Sequence, residues 1–177
     1  PGNLNDIRAL VKAYKKYHVP YIFDPGQVIT ALTPDDLRQG IDGAKVFISN
    51  DYELAMVLKK TGWKKEDILK GVELLVTTLG EKGSVVELGI RNKELGIRKL
   101  IIPPAKPKNV SDPTGAGDAF RAGLIKGLLL GLPYDKVGKL ASVVSVYTVE
   151  KYGTQTHSFT WGEVLQRYKI NYKDNLV

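Results

Sequence analysis

Three short apolar runs, Tyr21–Phe23, Lys45–Ser49 and Glu73–Thr78, each stop at a polar turn, and each is followed by residues whose apolar positions recur at helical spacing. This alternation constrains the fold more than any other feature. Runs that lack the in-and-out pattern of a half-exposed strand are buried on both faces, and helices between such strands carry the chain back across a parallel sheet. The expectation is an α/β chain, a three-layer fold with a mainly parallel central sheet flanked by helices. Ligands of such sheets bind beyond the carboxyl ends of the strands, so the strand ends are the places to search.

The other elements follow from periodicity and caps. Asn3 caps a helix whose apolar positions Leu4, Ile7, Leu10, Val11 and Tyr14 share one face, ending near Tyr17. Thr33 or Pro34 opens a short helix toward Arg38, Leu54, Val57 and Leu58 mark another over Asp51–Lys60, and Lys64–Gly71 reads as a further short one. Val85–Leu88 and Ile97–Ile102 read as two more strands joined by a polar, glycine-containing turn. Pro103, Pro104 and Pro107 stiffen the next stretch, and Pro133 starts a helix rich in Val143, Val144, Val146 and Val149. Lys151–Thr156 is a turn and Trp161–Tyr168 the last helix. No internal repeat or low-complexity tract interrupts this order, so residues 1–177 are expected to form a single α/β domain.

The last loop delivers the chain into S-D-P-T-G-A-G-D-A-F, Ser111 to Phe120. Pro113 fixes its own φ and biases Asp112 toward an extended conformation, while Gly115 and Gly117 permit backbone geometries and close ligand approach that a Cβ would block. From Ala116 onward Phe120, Gly123, Leu124, Gly127 and Leu128 fall at helical spacing, so a helix starts at the glycines. The first N–H groups of a helix have no internal partner, and with the macrodipole they favour an anion such as a phosphoryl group. Asp118 lies in that first turn. An aspartate there can also do no more than complement the dipole. Two common phosphate loops are excluded: a dinucleotide fingerprint needs a glycine where Phe120 stands, and no GxxxxGK[ST] occurs.

The string D-P-T-G-A-G-D-A-F-R-A-G, Asp112 to Gly123, closely resembles the second signature of the ribokinase-like (pfkB) carbohydrate kinases. The resemblance implies that Asp118 is the base that takes the proton of an acceptor hydroxyl, with the backbone of Gly115, Ala116 and Gly117 as the anion hole. Phosphoryl transfer relies on positioning and charge stabilisation, so a well-aimed carboxylate suffices. It also implies a structural K⁺ near Asp112.

Other strand ends carry matching segments. After Val46–Ser49 comes N-D-Y-E, in which Asn50 and Glu53 have capping-box spacing and also match the family's N-x-x-E, which organises magnesium and phosphates. By that resemblance Asn50 approaches the nucleotide and Glu53 serves Mg²⁺ through water. T-L-G-E-K-G is a generic turn by itself, and it is similar to the family's T-L-G-x-x-G, which places Thr78, Gly80 and Gly83 at the nucleotide. D-P-G-Q after Phe23 is a tight turn. Ser142 occupies the position that faces the nucleotide in the family segment walling the adenine, where many sugar kinases carry Asn. The valine-rich face around it reads as core.

Composition excludes some alternatives. The absence of cysteine argues against a disulfide scaffold or thiolate metal site and fits a cytoplasmic setting, and two histidines, His18 and His157, are too few for a histidine-built zinc centre. The net charge of +7 is spread along the chain, which favours anionic ligands such as nucleoside triphosphates over a nucleic-acid patch. No apolar run approaches the roughly twenty residues that span a bilayer.

The expected function is therefore ATP-dependent phosphoryl transfer to a hydroxymethyl group of a sugar or nucleoside. F-D-P-G-Q and the late G-T-Q look most like prokaryotic adenosine or nucleoside kinases. The expected ligands are ATP, Mg²⁺, K⁺ and the acceptor, without nucleic acid or membrane, and a homodimer is one permitted assembly. The likeness runs from about Asp24 to Gln155 and maps onto the later part of such a kinase, the C-terminal ATP-binding portion, without the lid and the first glycine-rich signature. This leaves open whether the stretch transfers phosphate by itself. The competing reading is a non-catalytic nucleotide-binding or regulatory module.

Overall fold

The computed structural model describes residues 3–89 and 99–177. Those residues cluster into two compact units. One holds the chain up to Gly80 and from Val85 to Leu100, and the other holds Glu81–Ser84 and Ile101–Val177. The chain has an α/β fold, with a five-stranded sheet in the order β1-β2-β3-β4-β5: β1 Ile22–Phe23, β2 Val46–Asn50, β3 Leu74–Thr78, β4 Ser84–Leu88 and β5 Lys99–Ile102. β1, β2 and β3 run parallel, with Phe23 paired to Phe47, Phe47 to Leu75 and Asn50 to Thr78. The expected strand start at Ile97 and the turn before it fall outside the described residues, apart from Gly89.

In the first unit, helices α1 (Leu4–Lys16), α2 (Pro34–Ile41), α3 (Asp51–Thr61) and α4 (Lys65–Gly71) alternate with these strands. Each start has a local cause. Asn3 Oδ1 accepts the Asn5 N–H at 2.9 Å, and Thr33 caps α2 in a reciprocal box with Asp36. The Asp36 carboxylate is also gripped in two places by Arg8 of α1, at 2.8 and 2.7 Å. Hydrogen bonding to Arg8 holds its carboxyl well below the usual carboxylate range, with the Thr33 bonds and the Arg8 charge adding to that. Val46, Phe47, Leu74 and Leu75 are all buried, which explains why these strands read as continuous apolar runs. One face of β2 and β3 packs Phe47 and Leu75 into a core with Ile7 and Val11 of α1, Leu37 of α2 and Val57 of α3. The D-P-G-Q turn continues into a 3₁₀ segment, Gly26–Thr30, whose Ile29 joins the same core.

The second unit is built on α5 (Ala116–Leu129), α6 (Tyr134–Val149) and α7 (Trp161–Tyr172). α5 and α6 run antiparallel in close contact. A Cβ on Gly123 would lie 2.7 Å from the Ala141 Cα, and one on Gly127 would lie 3.1 Å from the Val137 Cα. Only glycine lets the two backbones come so near. Leu140, Val143, Val144 and Val146 of α6 form a core with Ala119 of α5 and with Val164 and Tyr168 of α7. α7 extends one turn past the expected end at Tyr168, to an αL cap at Lys173. Among the described residues no helix is long and apolar enough to cross a membrane.

Candidate functional site

The head of α5 is assembled entirely within the second unit. After a bend at Ser111, Gly115 takes the N-cap position at φ 82°, with no side chain to cap the helix. No side chain takes a first-turn N–H group, whereas the Ala116 N–H donates to the Pro113 carbonyl at 3.1 Å. Thr154 packs on this glycine, with its Cβ 3.1 Å from where a Gly115 Cβ would stand. Asp112 ties the turn together. Its Oδ1 accepts from the Thr114 N–H at 2.9 Å, and its Oδ2 accepts from the Gly153 N–H at 3.1 Å in the turn after α6. Hydrogen bonds from Thr114, and then from Gly153, hold the Asp112 carboxyl below its ordinary range.

Asp118 projects from the first turn with its side chain 83% exposed. Its Oδ1 is 2.7 Å from Nη1 of Arg121, one turn further along. Arg121 was visible in the sequence as part of the matching string, but nothing in the string marks it as the partner of Asp118. Ser142 is buried in α6, and its hydroxyl accepts the Ala105 N–H at 2.8 Å. Its contact is thus with the chain leading toward α5. Gly83 lies in the same unit at φ 88°, where a Cβ would stand 2.1 Å from the Ile102 carbonyl oxygen.

In the first unit, the sheet register places Asn50 at the end of β2 beside Thr78 at the end of β3. Asn50 Oδ1 accepts from the Glu53 N–H at 2.7 Å, and Glu53 Oε2 accepts from the Asn50 N–H at 2.8 Å, completing the capping box of α3. The other Glu53 oxygen carries no hydrogen bond among the described residues, and the side chain is half-buried. Gly80 opens the 3₁₀ turn Gly80–Lys82 at φ 59°, with nothing crowding its Cβ position. Among the described residues no three His, Asp or Glu side chains gather to hold a metal ion directly. A half-buried carboxylate with one oxygen committed and one free is suited to a hydrated divalent ion, which keeps its waters and takes few protein ligands.

Residues 3–161 match the family model of the pfkB family carbohydrate kinases. A nucleoside kinase of Methanocaldococcus jannaschii is 32% identical over 162 residues, which is 92% of this chain and 51% of the relative. The structure of the Burkholderia thailandensis nucleoside kinase in complex with ADP-inosine superimposes with a TM-score of 0.87 at 33% identity, covering 93% of this chain and 50% of that one. Ribokinase from Cryptococcus neoformans in complex with ADP superimposes with a TM-score of 0.75 at 26% identity, covering 93% and 56%. The chain spans about half the length of the relatives it matches. A glycine-capped helix head with an exposed aspartate, set in this fold and matched over most of its length, shows that the chain belongs to the pfkB family of carbohydrate kinases.

Proposed function

We propose that the protein carrying this chain transfers the γ-phosphoryl group of ATP to a hydroxymethyl group of a nucleoside, with an adenosine-like nucleoside favoured over a simple sugar. The observation that carries the reading is the exposed Asp118 carboxylate in the first turn of a helix whose cap has no side chain. The acceptor oxygen attacks phosphorus as its proton passes to Asp118, the bond from phosphorus to the bridging oxygen breaks, and ADP leaves. The backbone of Gly115, Ala116 and Gly117 is assigned to the negative charge of the group in transfer, the Ala116 N–H exchanging its bond to the Pro113 carbonyl for that charge. Arg121 holds the Asp118 carboxylate in place until the acceptor arrives. Asn50, Thr78, Gly80 and Gly83 are assigned to the nucleotide and Glu53 to hydrated magnesium, which when bound neutralises phosphate charge. Asp112, with lone pairs beyond the two N–H bonds it accepts, is assigned to K⁺. Support for a nucleoside comes from relatives named as nucleoside kinases in two archaea and from a neighbouring structure described with inosine.

The test is ATP consumption by the full-length natural protein with a panel of nucleosides and sugars. Asp118→Asn is expected to lower kcat by about 10²- to 10⁴-fold, the usual worth of a positioned base. Wild-type turnover in that variant would remove Asp118 from the role. ATP binding without turnover on any acceptor would favour the regulatory module.

A further inference from the structure

The stretch between β5 and α5 has no regular structure, yet it is held by side chains of α7 and by Val149 and Glu150 where α6 ends. The Pro103 carbonyl accepts from the Tyr172 hydroxyl at 3.0 Å. The Lys106 N–H donates to Asn171 Oδ1 at 2.7 Å, and the Lys106 carbonyl accepts from Arg167 Nη2 at 3.4 Å. The Lys108 N–H donates to Glu150 Oε1, and the Ser111 hydroxyl donates to the Glu150 carbonyl at 3.2 Å. The Ser111 and Asp112 N–H groups both donate to the Val149 carbonyl, at 2.9 and 3.1 Å.

At the centre of these anchors Glu150 and Arg167 pair through two hydrogen bonds, Nη1 to Oε2 at 3.0 Å and Nη2 to Oε1. Their side chains are only 11% and 9% exposed, and the guanidinium lies 4.6 Å from the centroid of the Tyr147 ring. Burial pushes the Glu150 carboxyl up, but the Arg167 hydrogen bonds, the Lys108 N–H and the charges of both residues outweigh it, so it stays below its ordinary range. A buried pair can serve simply to stabilise the packing of α7. Here, however, the bonding capacity left after pairing is aimed at Lys106 and Lys108, both in the loop that feeds the head of α5.

We propose that Glu150 and Arg167 are positioning residues for the Gly115–Gly117 anion hole: they fix the loop Lys106–Asp112, and through it the path by which Asp112 and Pro113 enter α5. The catalytic part of this inference rests on the phosphoryl-transfer reading, whereas the clamp on the loop does not. Losing the clamp leaves the helix intact and its first N–H groups misaimed. Small misplacements of such groups slow chemistry strongly.

The full-length natural protein is compared with Arg167→Met, Glu150→Leu and the double variant, by thermal melting, amide hydrogen exchange and steady-state kinetics. Each single change strands a buried charge and lowers Tm, whereas the double change replaces the pair with apolar side chains and recovers most of the stability. A purely structural pair would then be fully replaced. The expected result is that the double variant, although stable, exchanges the amides of residues 106–114 at least about ten-fold faster than wild type. Its kcat falls about ten- to a hundred-fold, and KM for ATP changes much less. Wild-type exchange in that segment, or recovery of kcat together with Tm, overturns the proposal. If the double variant does not fold, Arg167→Lys keeps the charge but not the fork that reaches both Glu150 and Lys106. Faster exchange at Lys106–Lys108 in that variant supports the clamp and unchanged exchange overturns it. A wild-type protein that consumes no ATP would remove the phosphoryl-transfer reading, and the exchange measurement would then decide the clamp on its own.

Discussion

Single residues in this chain carry two kinds of cost. Tyr168 is wholly buried beneath α6, and its hydroxyl has no hydrogen-bond partner among the described residues, while burial pushes its ionisation far up. A buried hydroxyl without a partner forfeits its hydration, so Tyr168→Phe should leave stability unchanged or raise it by up to about 1 kcal/mol, as read by denaturant melts. Asp36 is the opposite case. Its folded carboxyl titrates below the unfolded one, so its contribution is fully present above the ordinary carboxylate pKa near 3.8 and is lost as pH falls through the lower folded value. Asp36→Asn should therefore melt below wild type at neutral pH, and the difference should shrink as the medium is acidified below pH 3.8. A constant difference across that range would show that the Arg8 contact does not act through charge.

The elements show what was legible in the sequence and what was not. The capping box at Asn50 and Glu53, the cap at Thr33 and the start of α5 at Ala116 were all readable, because each depends on residues within four positions of one another. The pairings of Arg8 with Asp36, Ser142 with Ala105 and Glu150 with Arg167 join residues 17 to 37 positions apart, and no spacing rule announces them. The 3₁₀ segment after Asp24 was hidden for a different reason, since Pro25 and Gly26 signal a turn and Ile29 becomes a core residue only once α3 packs on it. The glycines of α5 read as small residues on an apolar face, and only the α6 backbone shows why they are small. Gly123→Ala should cost about 1–3 kcal/mol by forcing the two helices apart, even though alanine is the better helix former. A neutral melt would mean that the crossing can relax.

At the scale of the whole molecule, 26 basic against 19 acidic residues leave a field that draws anions. Association with a nucleoside triphosphate should slow as salt is raised to about 0.5 M, because screening reaches inside about 10 Å already at 0.1 M; rapid-mixing fluorescence would measure it. The anchoring of the stretch before α5 has a separate consequence, for how the gene can drift. The anchors hold main-chain N–H and C=O groups of Lys106 and Lys108, not their side chains, so the identity of those residues is uncoupled from the shape they hold. Most replacements there should pass unnoticed by the fold, and proline should not, since it deletes the N–H that Asn171 or Glu150 requires. Pro107 lies between the two positions where a proline would do harm. Related chains could accordingly vary most in the letters of this segment while keeping its course, with selection falling instead on acceptors and donors more than forty residues downstream.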